Sequence, residues 1–137
     1  MAGNLSISAD IANSGMKAQA ERLRIISENM ANADSVGTTK DGAPYQRQVV
    51  TFKEHIDAET GAKLVKVDKV LKDKSDYNMK YEPTNPLADE NGYVATPNVN
   101  PLVELMDMKE AQRSYEANMS MLKTSREMNS KVLDLLK

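Results

Sequence analysis

The sequence predicts a mainly α-helical fold with a small β insert. Two long helices, one at each end of the chain, would pair as an antiparallel coiled coil, with a β-hairpin and an extended loop between them. Apolar residues recur at alternating steps of three and four through residues 5–33 and again through 108–136, which is the spacing of a heptad seam. All five prolines fall within or beside residues 34–100, where they interrupt helical structure.

The N-terminal helix is predicted over residues 5–33, which contain no proline and a single glycine, Gly15. At a rise of roughly 1.5 Å per residue it would be about 40 Å long. Gln19 is the only polar residue at a seam position, and isoleucines beside the seam widen its apolar stripe. A stripe this wide can contact more than one helix, so its larger members are assigned to subunit interfaces. These are Met16, Leu23, Ile26 and Met30.

Residues 36–101 form the predicted insert. The runs 45–53 and 63–71 are rich in residues that favour strands, and the segment 57–61 between them is typical of a hairpin loop. Residues 73–100 are predicted to be an extended, turn-rich segment laid along another surface, with a turn at Asn91-Gly92.

The second long helix is predicted over residues 102–136, and Pro101 fits its first turn. Polar residues weaken its seam. The interface residues assigned to it are Met108, Tyr115, Asn118, Leu122, Val132 and Leu136. The chain therefore divides into an N-terminal axial helix (1–35), an insert (36–101) and a C-terminal axial helix (102–137), with the two helices forming one shared domain.

Composition narrows the function classes. The formal charge is −2 and the pI is about 5.5, without the basic excess of a nucleic-acid-binding protein. The chain has no cysteine, which excludes disulfides and thiolate sites. Leu, Ile, Val and Phe make up only about a fifth of it and Trp is absent, so the predicted core is thin. We therefore expect burial to be completed against partners.

No pattern supports catalysis. His55 is the only histidine, and acid–base or metal sites need several converging groups. Nucleophile-elbow, P-loop and dinucleotide motifs are missing. The sequence predicts no enzyme, cofactor, metal or small-molecule substrate. It also lacks an apolar run of about 18 residues and a Sec-type signal peptide.

Two stretches are more specific than amphipathic helices. Residues 14–34, SGMKAQAERLRIISENMANAD, resemble the N-terminal signature of the flagellar rod and hook axial proteins. Residues 108–118, MKEAQRSYEAN, resemble the C-terminal helix of the same family. The motif residues in these stretches are Ser14, Gly15, Arg22, Asn29, Ala31, Arg113, Glu116 and Ala117.

Two segments of the insert narrow the resemblance to the proximal rod members of the flagellar basal-body rod family. They are GAPYQR at residues 42–47 and YVATPNVN at residues 93–100. Their motif residues are Pro44, Tyr45, Arg47, Pro97, Asn98 and Asn100.

The resemblance implies a structural subunit of the bacterial flagellar basal body. Such a subunit would pass through the flagellar type III export apparatus without a cleaved signal peptide and polymerise in the periplasm. It would form a helical axial segment that transmits torque and encloses the export channel. The implied partners are further copies of itself, other rod proteins, the rod-base adaptor and the MS-ring.

Three asparagines at or beside apolar stripes have two interpretations. Asn32 could cap its helix and Asn29 could be an ordinary surface residue. Alternatively, Asn29, Asn32 and Asn118 could fix the register between subunits, as buried polar residues do in coiled coils.

A second class of function stays open at this stage, namely a soluble helical adaptor or secretion chaperone. Such a protein would be a compact dimer, stable alone, without the extended middle segment. The rod interpretation predicts that Leu23→Asp or Ile26→Asp allows secretion but abolishes assembly, and normal motility would refute it.

Overall fold

The computed structural model describes residues 2–37 and 42–136. Its elements are α1 (Ala2–Ala31), β1 (Gln48–Ile56), β2 (Lys63–Lys72), β3 (Asn78–Tyr81), β4 (Tyr93–Thr96) and α2 (Pro101–Leu135). The predicted class of two long helices around a small β insert is confirmed. Residues 1, 38–41 and 137 of the predicted divisions lie outside the described residues.

The two helices lie side by side and run antiparallel. Near one end, the Ser125 hydroxyl donates a hydrogen bond of 2.8 Å to the carbonyl oxygen of Leu5. Near the other end, the Asn29 amide donates to the Glu104 carboxylate at 3.2 Å. Because residue 5 contacts residue 125 and residue 29 contacts residue 104, the two helices must run in opposite directions.

Small side chains occupy the best-buried seam positions. Ala12 and Ala111 are completely buried, and Ser125 is nearly so. Among the larger seam residues, Ile26 is buried, whereas Leu23 and Leu122 are only half-buried. The half-buried leucines therefore keep part of their apolar surface for other contacts. Knobs-into-holes coiled-coil packing stays a prediction.

Helix α2 begins where its sequence signals predict. The Asn100 side chain accepts a hydrogen bond of 3.0 Å from the backbone N–H of Leu102, and Pro101 occupies the first turn, where its missing N–H costs nothing. Helix α1 begins at Ala2, earlier than predicted, and Ser8 lies inside it, with its hydroxyl donating to the carbonyl of Asn4.

The first hairpin, β1–β2, is confirmed, although β1 begins three residues later than predicted. Its strands pair antiparallel from Gln48↔Lys72 to Ile56↔Lys63, with an irregularity between Thr51 and Phe52. The predicted loop at 57–61 closes through a 2.9 Å hydrogen bond from Gly61 N–H to Asp57 C=O. Gly61 has a φ of 66°, a left-handed conformation that favours glycine.

The prediction that residues 73–100 form only an extended segment is wrong. Strands β3 and β4 pair antiparallel from Asn78↔Thr96 to Tyr81↔Tyr93 and form a second two-stranded sheet. Each strand has only four residues, so neither shows the longer alternation that marks a strand in a sequence. The predicted turn at Asn91-Gly92 is confirmed, because Gly92 has a φ of 83° and its N–H donates to the Asp89 carbonyl at 3.0 Å.

Candidate assembly surface and the polar junction behind it

A cluster of buried and half-buried polar residues, which we call the polar junction, joins the two helices to the insert. It consists of Asn29, Tyr45, Arg47, Asn98 and Glu104. Asn29 is 1% exposed and has every polar atom engaged. Its Nδ2 donates to the Gln48 carbonyl at 2.8 Å and to Glu104, and its Oδ1 accepts from the Tyr45 hydroxyl and the Gln48 N–H.

These contacts correct one interpretation from the sequence. Asn29 is not an ordinary surface residue, because it links α1 to the start of β1 and to α2 within one chain. Asn32, by contrast, donates its Nδ2 to the carbonyl of Glu28 at 2.8 Å, which matches the interpretation as a helix C-terminal cap. A contact of Asn32 with another subunit stays a prediction.

Glu104 is completely buried and faces Arg47. The Nε of Arg47 donates to Glu104 Oε1, while its two terminal nitrogens lie 3.4 Å from carboxylates of Asp73 and Asp107. Partial burial alone would lower the pKa of Arg47, but the hydrogen bonds and attraction from Glu104 and Asp73 raise it above its ordinary value. The paired charges compensate each other's desolvation, so Arg47 remains charged.

Asn98 attaches the second hairpin to this cluster. Its Oδ1 accepts from the Arg47 backbone N–H at 2.8 Å, and its Nδ2 donates to the carbonyls of Asp73 and Ser75 at 3.0 and 3.1 Å. The motif residues of the insert therefore act inside the chain, where they fix the position of the hairpins relative to the helices.

The carboxylate of Asp73 makes this cluster sensitive to acid. Hydrogen bonds from Ser75, followed by Arg47, hold the pKa of Asp73 below its ordinary value of 3.8. A group whose pKa is lowered by folding stabilises the fold above its unfolded pKa, and this contribution is lost as the pH falls through the folded pKa.

We predict that Asp73→Asn flattens the loss of stability below a pH of about 4 and lowers stability at pH 7. Urea midpoints measured between pH 2 and pH 7 would check this. Asp76→Asn, at an exposed position nearby, is the control and should follow the wild-type profile. Equal acid slopes for wild type and Asp73→Asn would contradict the prediction.

A second contact point lies at Ser14-Gly15, one of the predicted motif pairs. The Ser14 hydroxyl accepts a hydrogen bond of 3.2 Å from the Val65 N–H, which attaches β2 to α1. The Asn118 side chain of α2 lies directly over Gly15, and a Cβ there would approach its atoms to 2.7–2.9 Å. Asn118 is held in place by donating its Nδ2 to the Ser114 carbonyl. Gly15 is therefore required for space.

We predict that the effect of Gly15→Ala depends on residue 118. Alanine favours a helix over glycine by about 1 kcal/mol, but its Cβ displaces the Asn118 amide. In an Asn118→Ala background the clash disappears, so Gly15→Ala should be stabilising there. A double-mutant cycle in urea should give a coupling of roughly 0.5–3 kcal/mol. Additive effects would show that the two residues do not interact.

The free surface of the chain is large for its size. A folded monomer of 15.2 kDa is expected to expose about 7,100 Å², whereas this chain exposes 9516 Å². The excess of roughly 2,400 Å² equals the area that about three standard protein interfaces remove from one partner. We call the exposed apolar part of it on α2 and its C-cap residue the candidate assembly surface: Leu102, Val103, Leu105, Met106, Met119, Met121, Met128, Leu133, Leu135 and Leu136.

The predicted site residues fall into three groups by burial. The buried ones are Gly15, Ile26, Asn29, Pro44, Pro97 and Asn98. The half-buried ones are Ser14, Met16, Arg22, Leu23, Met30, Asn32, Tyr45, Arg47, Met108, Tyr115, Asn118, Leu122 and Val132. The exposed ones are Ala31, Asn100, Arg113, Glu116, Ala117 and Leu136.

Sequence reasoning missed the central role of Glu104. Its position four residues before Met108 continues the step of the second seam, and this spacing places it on the face toward α1. A carboxylate on an apolar seam is a signal for a buried ion pair, and the partner, Arg47, was already marked by the insert motif.

A groove with a volume of about 940 Å³ lies between α1 and the first hairpin. Charges of both signs line it, including Asp10, Lys17, Asp57 and Lys66. Within residues 2–37 and 42–136, no three His, Asp or Glu side chains come together as metal ligands. No helix of that part of the chain is long and apolar enough to cross a membrane.

Comparison with known proteins identifies the family. The model of the family described as "Flagella basal body rod protein" matches residues 10–38, and that described as "Flagellar basal body rod FlgEFG protein C-terminal" matches residues 90–135. The flagellar basal-body rod protein FlgC of Agrobacterium fabrum is 47% identical over 133 residues, covering 97% of this chain and 96% of the relative. FlgC of Salmonella typhimurium is 44% identical over 128 residues, covering 92% and 93%.

The chain belongs to the FlgC family of flagellar basal-body rod proteins. Its role is that of a structural rod subunit, and no catalytic family is indicated. The polar junction is thus the internal framework of this FlgC-family subunit. The two family models match its two ends, which the junction and the Gly15–Asn118 contact hold together.

Proposed function

We propose that this FlgC-family chain is a subunit of the proximal rod, where it polymerises into a helical axial segment that encloses the export channel and transmits torque. The observation that carries the proposal is the excess surface of about 2,400 Å², because one dimer interface of standard size would leave most of it uncovered. Contacts that join different surfaces of neighbouring copies and do not close generate a helical filament.

The paired helices α1 and α2 would form the layer around the channel, with coiled-coil-like packing against neighbouring helices. Half-buried seam residues such as Leu23 and Leu122 support this arrangement, since they keep apolar area that one helix pair does not cover. The two hairpins, positioned by the polar junction, would contact adjacent subunits and stiffen the rod.

The proposed partners are other rod proteins, the rod-base adaptor, the MS-ring and the flagellar type III export apparatus. The proposed location is the periplasmic part of the basal body, reached without a cleaved signal peptide. The names of the FlgC relatives support the basal-body location, and the partners follow from a rod that must begin at the membrane and be built from exported subunits.

Deletion of the gene, followed by complementation with the wild-type chain, tests the proposal. We expect non-motile cells whose basal bodies lack a complete rod, and restoration of both by complementation. Basal bodies purified from the complemented strain should contain the chain as a stoichiometric component. A soluble adaptor or secretion chaperone would not be part of the purified basal body. Absence of the chain from purified basal bodies would therefore overturn the proposal.

A further inference from the structure

The second hairpin, β3–β4, lies at the edge of the molecule. Among the described residues, none of its Cα atoms comes within 8 Å of a residue of α1, α2, β1 or β2. The hairpin is attached at its base, where the Nδ2 of Asn78 donates to the carbonyls of Pro97 and Val99 at 2.9 and 3.4 Å. A sheet of only two strands is marginally stable in water unless another layer packs on it.

One face of this hairpin is apolar along its whole length. Side chains alternate between the two faces of a strand, and the register pairs Met79 with Ala95 and Tyr81 with Tyr93 on the same face. Met79, Tyr81 and Tyr93 are 55%, 63% and 42% exposed. Val94, which belongs to the opposite face, is only 3% exposed. The hairpin therefore has a covered inner face and an uncovered apolar face, which we call the aromatic face.

The two tyrosines of the aromatic face are held in place within the chain. Their rings meet edge to face, with centroids 5.2 Å apart. The Tyr81 ring lies over Gly92, where a Cβ would approach the Tyr81 Cε2 atom to 2.9 Å. Rigid aromatic side chains lose little conformational entropy when a partner covers them, so this face is suited to binding.

The charges around the aromatic face indicate the kind of surface that fits it. Residues 75–100 carry four carboxylates and a single lysine. Asp76, before β3, and Glu90, in the turn between β3 and β4, are exposed near opposite ends of the hairpin. The complementary surface is therefore apolar in the middle and basic at its ends.

The first hairpin of the chain carries such a surface. The alternation of β1 and its register with β2 place Phe52, Ile56 and Val70 on one face. These three side chains are 37%, 59% and 41% exposed. Lys63 and Lys72 lie at the two ends of the same face, and β2 as a whole carries four lysines and one aspartate.

We propose that the aromatic face of one copy packs against this face of the first hairpin in a neighbouring copy. Two sheets can pack face to face about 10 Å apart, with the carboxylates of one near the lysines of the other. Within one copy both faces are exposed, so they do not cover each other. The two surfaces differ, so the contact need not close on itself and can continue from copy to copy along a helical segment. This inference rests on the proposed rod function.

One charged substitution on each face tests the contact in the motile organism. Met79→Asp and Ile56→Asp each place a carboxylate in the apolar contact, where it is desolvated without a partner. Each should therefore reduce the number of basal bodies per cell by at least about tenfold. Both side chains are more than half exposed, so the purified variants should keep the circular dichroism and urea midpoint of wild type. Met79→Leu and Ile56→Leu are the matched controls and should assemble normally.

Crosslinking identifies the occupant of the aromatic face. The chain contains no cysteine, so Met79→Cys and Val70→Cys introduce one thiol on each face. In cells that express both single variants, a short bismaleimide should join the two variants in isolated basal bodies, whereas either variant alone should give no dimer. A chain that carries both substitutions should give a ladder of dimers, trimers and larger products, because the contact does not close.

The outcomes separate this inference from the proposed function. Normal assembly of Met79→Asp or Ile56→Asp, absence of the mixed crosslink, or a ladder that stops at dimers would each overturn the hairpin contact. The rod function stands in all three cases as long as purified basal bodies contain the wild-type chain. If they lack the wild-type chain, the rod function itself fails.

Discussion

Arg47→Met should lower the free energy of unfolding by about 3–5 kcal/mol at pH 7, because it leaves the completely buried carboxyl group of Glu104 without its ion-pair partner. The Arg47 guanidinium contacts three carboxylates at once, those of Asp73, Glu104 and Asp107. Urea unfolding followed by circular dichroism would measure the loss. In the cell, the same variant should lose motility, since the hairpins would no longer hold their position on the helices.

Two further variants make this result interpretable. Adding Glu104→Leu to Arg47→Met removes the buried carboxyl group that has lost its partner. The double variant should recover much of the stability, since apolar replacement of a whole buried ion pair is often neutral. Arg24→Met removes an exposed arginine that pairs with Glu21 and Glu28, and it should leave the urea midpoint close to that of wild type. An Arg47→Met variant that unfolds like wild type would show that the polar junction does not hold the fold together.

Met121→Asp and Met128→Asp should abolish rod assembly while leaving the isolated chain folded. Both methionines are at least half exposed, at 57% and 50%, so a charge there costs the lone subunit within roughly 0.5 kcal/mol. In the rod, a carboxylate buried against a neighbour would be desolvated without a partner, which costs several kcal/mol. Swimming assays and electron microscopy of basal bodies would give the result.

The two substitutions that the sequence suggested as tests of assembly, Leu23→Asp and Ile26→Asp, are less informative than the methionine variants. Ile26 is 5% exposed, so Ile26→Asp would unfold the subunit itself and cannot report on contacts between subunits. Leu23→Asp acts on both, since Leu23 is half-buried. Met121→Leu and Met128→Leu, which keep an apolar side chain at the same positions, are the controls for the charged variants and should assemble. Normal motility of both methionine variants would exclude this side of α2 from the interfaces.

The helical part of the fold could be predicted because its signals are local and repeated. Apolar spacing and the absence of proline identified both helices, and Pro101 marked the start of α2 within one residue. The second hairpin could not be predicted, because two strands of four residues are too short to show a period and their pairing depends on contacts such as Asn78 Nδ2 to the Pro97 carbonyl at 2.9 Å.

The polar junction was harder to predict than the fold. Its members were singled out one by one as motif residues, but nothing in the sequence says that Asn29 and Glu104 meet, since they lie 75 residues apart. The sequence left Asn29 with two interpretations, an ordinary surface residue or a polar residue that fixes the register between subunits, and neither of them is a link within one chain. The pairing became visible only with the tertiary arrangement, in which a carboxylate on an apolar seam needs a partner from elsewhere in the chain.

The residues of the polar junction lie far apart in the sequence, and this affects when the chain can fold. The segments that carry Asn29 and Glu104 must come together before Glu104 can form its ion pair with Arg47 and its hydrogen bond with the Asn29 amide. If the chain is exported end first, as proposed, these segments stay apart until both have emerged, so the polar junction would close only after export.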